Sequence, residues 1–227
     1  METLKTSLVS LYSAMADSSV TLFSAEKPAV ARILRTAHQH LFTHGYNALT
    51  MADLAHELGM SKKTLYVHFS GKDALIERII DLVAGSLHER MEAVLSNPKL
   101  TFPGRLAGVV EVVGTTLAKA SPVMLRDLQR FAPHIHQKIE QLRQKNIPYV
   151  FGRLLRDGIA TGKVRADVDP AFATEFWLQA ITGLVRPQAL ERLQLTPRQT
   201  FEKALNLFFS GLLTPAGRKD YEKTSVP

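Results

Sequence analysis

Between Glu57 and Asp73 the chain carries no acidic residue, and Lys62, Lys63, Thr64, Tyr66, His68 and Lys72 all fall in that gap. Amines, a hydroxyl, a phenol and an imidazole are groups that donate hydrogen bonds to phosphate oxygens and to the acceptor edges of bases. To act together they must project from one face of a short element. Ser61 is a helix N-cap, and Leu65 and Phe69, four apart, give the following helix an inward side. Lys62, Lys63, Thr64, Tyr66 and His68 are then left outside. Ahead of it Thr50 caps another helix, with Asp53 favouring the first-turn dipole and Leu54, Ala55 and Leu58 on one face. Gly59 supplies the left-handed residue that ends it. Two short helices around a glycine turn, the second exposed and basic, read as a helix-turn-helix suited to the major groove of DNA. A helical hairpin with a merely solvated face shows the same caps, so the order of residues has to decide.

That order resembles the DNA-binding domain of the TetR (tetracycline-repressor-like) family of bacterial transcriptional regulators. The resemblance rests on Thr50, Leu54, Ala55, Gly59, Met60, Ser61, Thr64, Tyr66, His68, Phe69, Lys72 and Leu75 at fixed spacing. Two positions depart from it. Lys63 stands where relatives often carry a small residue, which alters base preference or adds a phosphate contact, and Ala52 stands at a frequently basic position. The resemblance implies an all-α fold: an N-terminal helix-turn-helix domain, then a C-terminal helical domain for effector binding and dimerisation. It implies a dimeric repressor that releases its operator when a small apolar molecule binds. Lys62, Lys63 and Thr64, near the start of the recognition helix, are expected to meet base edges. By resemblance Tyr66 and His68 contact phosphates. Thr50, Ser61 and Lys72, at helix starts, complete the DNA-binding set. Two heads on a pseudo-palindromic site would lie about 34–36 Å apart for half-sites one turn apart.

The chain has 227 residues, 45% of them hydrophobic, which suits a globular protein of one large domain or two modest ones. It has no cysteine, so disulfide and thiolate chemistry are excluded, as suits a bacterial cytoplasmic protein. A formal charge of +7 suggests an anionic partner, although most of the surplus lies after residue 80. The acid-free gap points to the helix-turn-helix more directly than net charge does. No apolar run is long enough to cross a membrane, and the apolar patch in residues 1–16, broken by Ser10, is too short for a signal peptide.

Four segments follow: an extension at 1–27 (an arm, an extra helix or a misassigned start), the DNA-binding domain at 28–75, the regulatory domain at 76–214 and a tail at 215–227. Helix 1 starts at Pro28, buries Val30, Ile33, Leu34, Ala37 and Leu41, and stops at Gly45. His38, His40 and His44 are read as surface histidines, because no second ligand cluster accompanies them. Further helices are expected at 72–95, 103–118, 122–131, 133–161 (with a kink or break at Pro148), 170–185 and 197–213. The last two carry apolar residues on more than one stripe. One face is therefore assigned to the core and one to a second copy, through Trp177, Ile181, Leu184, Phe201, Leu205, Phe208 and Leu212. An effector cavity is expected among the helices at 103–161, with Phe131, Tyr149, Phe151 and Trp177 as lining, though each also reads as ordinary core.

No phosphate-binding glycine loop, metalloprotease spacing or di-iron motif is present, and no residue stands out as a nucleophile. The chain reads as no enzyme and is expected to need no cofactor or metal. Its partners are double-stranded DNA, a second copy and an unknown small-molecule effector, with no membrane. The alternative is a helical dimer acting through protein partners, with a helix-turn-helix not gated by a ligand.

Overall fold

The computed structural model describes residues 22–224, so most of the expected extension at 1–27 lies outside the described residues. Eleven helices and no strand occur among those described. They are α1 (Pro28–His44), α2 (Met51–Glu57), α3 (Lys62–His68), α4 (Lys72–Leu95), α5 (Phe102–Leu117), α6 (Pro122–Phe131), α7 (Pro133–Ala160), α8 (Pro170–Leu184), α9 (Pro187–Leu193), α10 (Pro197–Leu212) and α11 (Pro215–Thr224). Most starts are chemically marked. Ser121 Oγ accepts from Met124 N at 3.1 Å, Asp169 Oδ1 accepts from Ala171 N at 2.8 Å, and Thr196 with Gln199 forms a capping box. Such caps contribute about 1 kcal/mol each. α7 runs through Pro148, so of the kink or break expected there, the break is corrected.

Contacts divide the chain into two compact units, residues 1–86 with 119–139 and residues 87–118 with 140–227. The first unit thus extends past residue 75 and takes in α6 and the start of α7.

In the first unit, α1 buries Ile33, Leu34, Ala37 and Leu41 completely. His38 joins that stripe at 7% exposure, against its expected place on the surface. The reason is spacing: Leu34, His38 and Leu41 recur at helical intervals on the inward face. Its ring lies between Phe23, edge-on at 5.7 Å, and Phe42 at 4.4 Å. Burial, aided by the charge of Lys119, pulls the His38 imidazole down to about 4. The folded state therefore resists protonation that the unfolded chain accepts below its ordinary value of 6.5. Between those two values the unfolded chain holds more protons, so stability is lost as pH falls, by about 2–3 kcal/mol across the window. Urea titrations from pH 7 to pH 4 should show this slope, and His38→Leu should remove that part of it.

In the second unit the core is aromatic. Trp177, 1% exposed, meets Phe151 at 4.8 Å, Phe208 at 5.1 Å and Phe201 at 6.0 Å. This bears on two expectations. Phe151 and Trp177 pack together in the core. Trp177, Ile181, Phe201 and Leu205 are each no more than 6% exposed, which leaves them no area for a second copy. The outward apolar face is instead Phe172 and Phe176 on α8 and Leu207 on α10, at 71%, 57% and 80% exposure. Phe176 stacks on the half-buried Phe208 at 6.3 Å, and Leu184 and Leu212 are also half-buried.

The segment expected as a tail is a helix as far as Thr224. Thr214 Oγ1 accepts from Gly217 N at 3.1 Å, α11 packs on α5, and Lys163 pairs with Asp220 at 2.6 Å.

Candidate nucleic-acid interface

The reading helix is built from its caps and anchors. Thr50 Oγ1 accepts from Asp53 N at 3.1 Å, which starts α2, and Ser61 Oγ accepts from Thr64 N at 3.1 Å, which starts α3. Between them Gly59 takes φ +61°, the left-handed conformation that a glycine adopts without strain. Arg32 on α1 donates to the Leu58 carbonyl and ties that turn to the first helix. His40 Nε2 meets Glu57 Oε2 at 2.5 Å and holds the other side of α2. Leu65, fully buried, and Phe69, 9% exposed, anchor α3. Complete removal of Leu65 from water alone stabilises that seat by about 2 kcal/mol.

What remains outside is the face expected from sequence. Ser61, Lys62, Lys63, Thr64, Tyr66 and His68 are all exposed. Lys62, Lys63, Tyr66 and His68 have no hydrogen bond or ion pair among the described residues. Thr64 is engaged, its Oγ1 lying 2.9 Å from Ser61 Oγ with either hydroxyl able to donate. Val67, at 76% exposure, belongs to the same face and was missed by a search for polar groups. Its signal was an apolar residue off the Leu65–Phe69 stripe.

Lys72 points inward. Its amine lies 3.9 Å from the centre of the Tyr46 ring and donates to the Tyr46 carbonyl at 3.1 Å. Partial burial lowers its pKa, opposed by Asp73 and Asp127. Tyr46 donates its hydroxyl to Asp73, and burial with that bond pushes the phenol above its usual range. Asn47 N donates to Asp127 Oδ2 at 2.9 Å, so α6 braces the α1–α2 turn. Gly45 in that turn takes φ +86°, and a Cβ there would lie 2.6 Å from Asp127 Oδ2. A side chain at position 45 would displace the brace.

Phe131, 44% exposed, belongs to the first unit, and Tyr149, 41% exposed, belongs to the second. No group of three or more metal-ligating side chains occurs among the described residues, and no single helix is long and apolar enough to cross a membrane.

Residues 33–79, which hold α2, α3 and their supports, match the family model described as bacterial regulatory proteins, tetR family. These residues carry the DNA-binding domain of the TetR family of transcriptional regulators. The fatty acid metabolism regulator protein of Bacillus subtilis is 22% identical over 190 residues, which cover 82% of this TetR-family chain and 97% of that protein. The crystal structure of the Bacillus subtilis transcriptional regulator FadR in complex with stearoyl-CoA aligns with TM-score 0.59 and 22% identity, covering 79% of this chain and 97% of that one. The ketosteroid transcriptional regulator KstR2 of Mycobacterium tuberculosis aligns with TM-score 0.55 and 22% identity, covering 83% and 97%. These likenesses establish the fold.

Proposed function

We propose that this TetR-family regulator is a homodimeric repressor that binds a pseudo-palindromic operator and releases it when a small molecule occupies its second unit. The observation that carries the reading is α3: capped, anchored by Leu65 and Phe69, and presenting unpaired donors in a window without acid. Lys62 and Lys63 reach base edges as donors, and Val67 offers an apolar contact to a thymine methyl. Thr50, Ser61, Tyr66 and His68 hold phosphates. Lys72, with one N–H spent on Tyr46, keeps two for the same task. The ligand-bound FadR of Bacillus subtilis supports a small-molecule trigger. Such a ligand acts only through a difference in affinity between the DNA-bound and released conformations. The protein works in the cytoplasm, where the operator is, and catalyses no reaction.

Gel shift against duplexes selected from a random pool tests this reading, followed by titration of the complex with small molecules. Lys63→Ala and Val67→Ala should each change the preferred base at one position of each half-site, by about 1–3 kcal/mol of discrimination. Tyr66→Phe should instead weaken all sequences alike. Uniform weakening by Lys63→Ala and Val67→Ala would overturn the base-reading roles.

A further inference from the structure

In the second unit a partly open cleft of about 200 Å³ is lined by Leu95, Arg105, Arg153, Leu154, Arg156 and Asp157. Three guanidinium groups therefore face one carboxylate, and that carboxylate is already engaged: Asp157 Oδ2 lies 2.8 Å from Arg105 Nη1. Arg105 also donates from Nη2 to the Asn97 carbonyl at 3.3 Å, yet its Nε is buried without an acceptor. Arg153 is committed to Glu92 at 3.0 Å and to the Tyr149 hydroxyl at 2.8 Å. Arg156 has no hydrogen bond or ion pair among the described residues. Gly152, one turn earlier, makes room for it, since a Cβ there would lie 3.3 Å from Arg156 Nη1.

We propose that this cleft is an anion site, which takes the carboxylate or phosphate group of a small effector between Arg105 and Arg156. The unpaired Arg156 fork and the N–H groups that Arg105 Nη1 and Nη2 keep beyond Asp157 and Asn97 are donors that lack acceptors, and the oxygens of a carboxylate or phosphate supply them. With Arg105 paired to Asp157 and Arg153 to Glu92, the charge of Arg156 is left uncompensated and selects an anion. A volume near 200 Å³ is smaller than the roughly 300–1,000 Å³ that encloses a whole drug-sized molecule, so the site holds a head group. Leu95 and Leu154 flank it for the first carbons of an attached chain.

The inference rests on the proposed response to a small molecule, so binding and DNA release are measured separately. Calorimetry on the full-length protein uses three probes: inorganic phosphate, hexanoate and hexyl phosphate. At least one should bind saturably, one per protomer. Arg156→Gln should weaken it about ten-fold, the value of one charge-assisted hydrogen bond. Arg105→Lys keeps a charge for Asp157 but deletes the guanidinium fork, and should weaken binding similarly. Arg192→Gln, on α9 and outside the cleft, should bind as wild type does. Tighter binding of the alkyl anions than of phosphate assigns the site to a larger molecule's head group, and preference for bare phosphate assigns it to the free ion. No saturable binding up to about 10 mM of any probe overturns the site. So does binding that both Arg156→Gln and Arg105→Lys leave unchanged. Anion binding that never alters the operator complex keeps the site and overturns the ligand-response reading. Operator release by other molecules without anion binding does the reverse.

Discussion

Phe176→Glu is expected to leave the fold intact, yield a monomer and weaken operator binding by at least about a hundred-fold. Phe176 is 57% exposed, and Phe172 and Leu207 are 71% and 80% exposed, so the chain presents bulky apolar side chains that its own core does not cover. A two-fold contact buries each such residue twice, and full burial of a phenylalanine stabilises by about 1.5–3 kcal/mol per copy. A carboxylate placed there would lose that term and would face its own symmetry mate. Without the second head, a half-site must be held alone, and the gain from tethering two heads, often a hundred-fold or more, is lost. Sedimentation equilibrium reads the mass, gel shift reads the affinity, and the urea midpoint checks the fold. Leu207→Glu repeats the test on α10. A variant pair that stays dimeric with wild-type affinity would remove this face from the assembly.

Trp177→Ala should cost about 3–5 kcal/mol of stability, the range for a large aromatic cut from a packed core. The neighbouring rings of Phe151, Phe201 and Phe208 cannot all close the resulting void, and each aromatic pair lost adds to the penalty. Against a typical total of about 5–15 kcal/mol, this leaves the second unit marginal. The same substitution separates core from cavity. A residue lining an effector site would change ligand affinity at little cost to folding, whereas Trp177→Ala should lower the denaturation midpoint first. Thermal and urea unfolding check the expectation, and a midpoint within about 1 kcal/mol of wild type would contradict it.

The parts that the sequence made legible are those written in local chemistry. Thr50, Ser61, Ser121, Asp169 and Thr196 are caps whose partners lie two or three residues away, and Gly45 and Gly59 are stops whose backbone angle only the local chain sets. Thr214-Pro215 bore the same signature as Thr196-Pro197, so α11 was readable and was passed over as a tail. Segment 187–193 gave less warning, for it has no side-chain cap and ends on Gln194 at φ +54° rather than on a glycine. What stayed hidden depends on distant parts of the chain. Periodicity showed that α8 and α10 carry two apolar faces, but not which face the subunit keeps: Trp177 and Phe201 went inward while Phe172 and Leu207 stayed out. Nothing in the spacing announces that Arg105, Arg153 and Arg156 share a cleft, since Arg105 lies on another helix.

The two hydroxyls at the tip of α3 carry one further implication for how strictly the operator is read. Ser61 and Thr64 share a hydrogen bond of 2.9 Å in which either hydroxyl can donate. If Thr64 donates to Ser61, its oxygen offers only lone pairs to the groove and suits the amino groups of adenine or cytosine. If Ser61 donates instead, the Thr64 proton is free for O6 or N7 of guanine or for thymine O4. No heavy atom has to move. On the proposed mode of DNA binding Thr64 would read ambivalently, and the base it faces should be the most degenerate letter of the half-site. Stringency falls to the lysines, which can only donate, and to the valine, which can do neither.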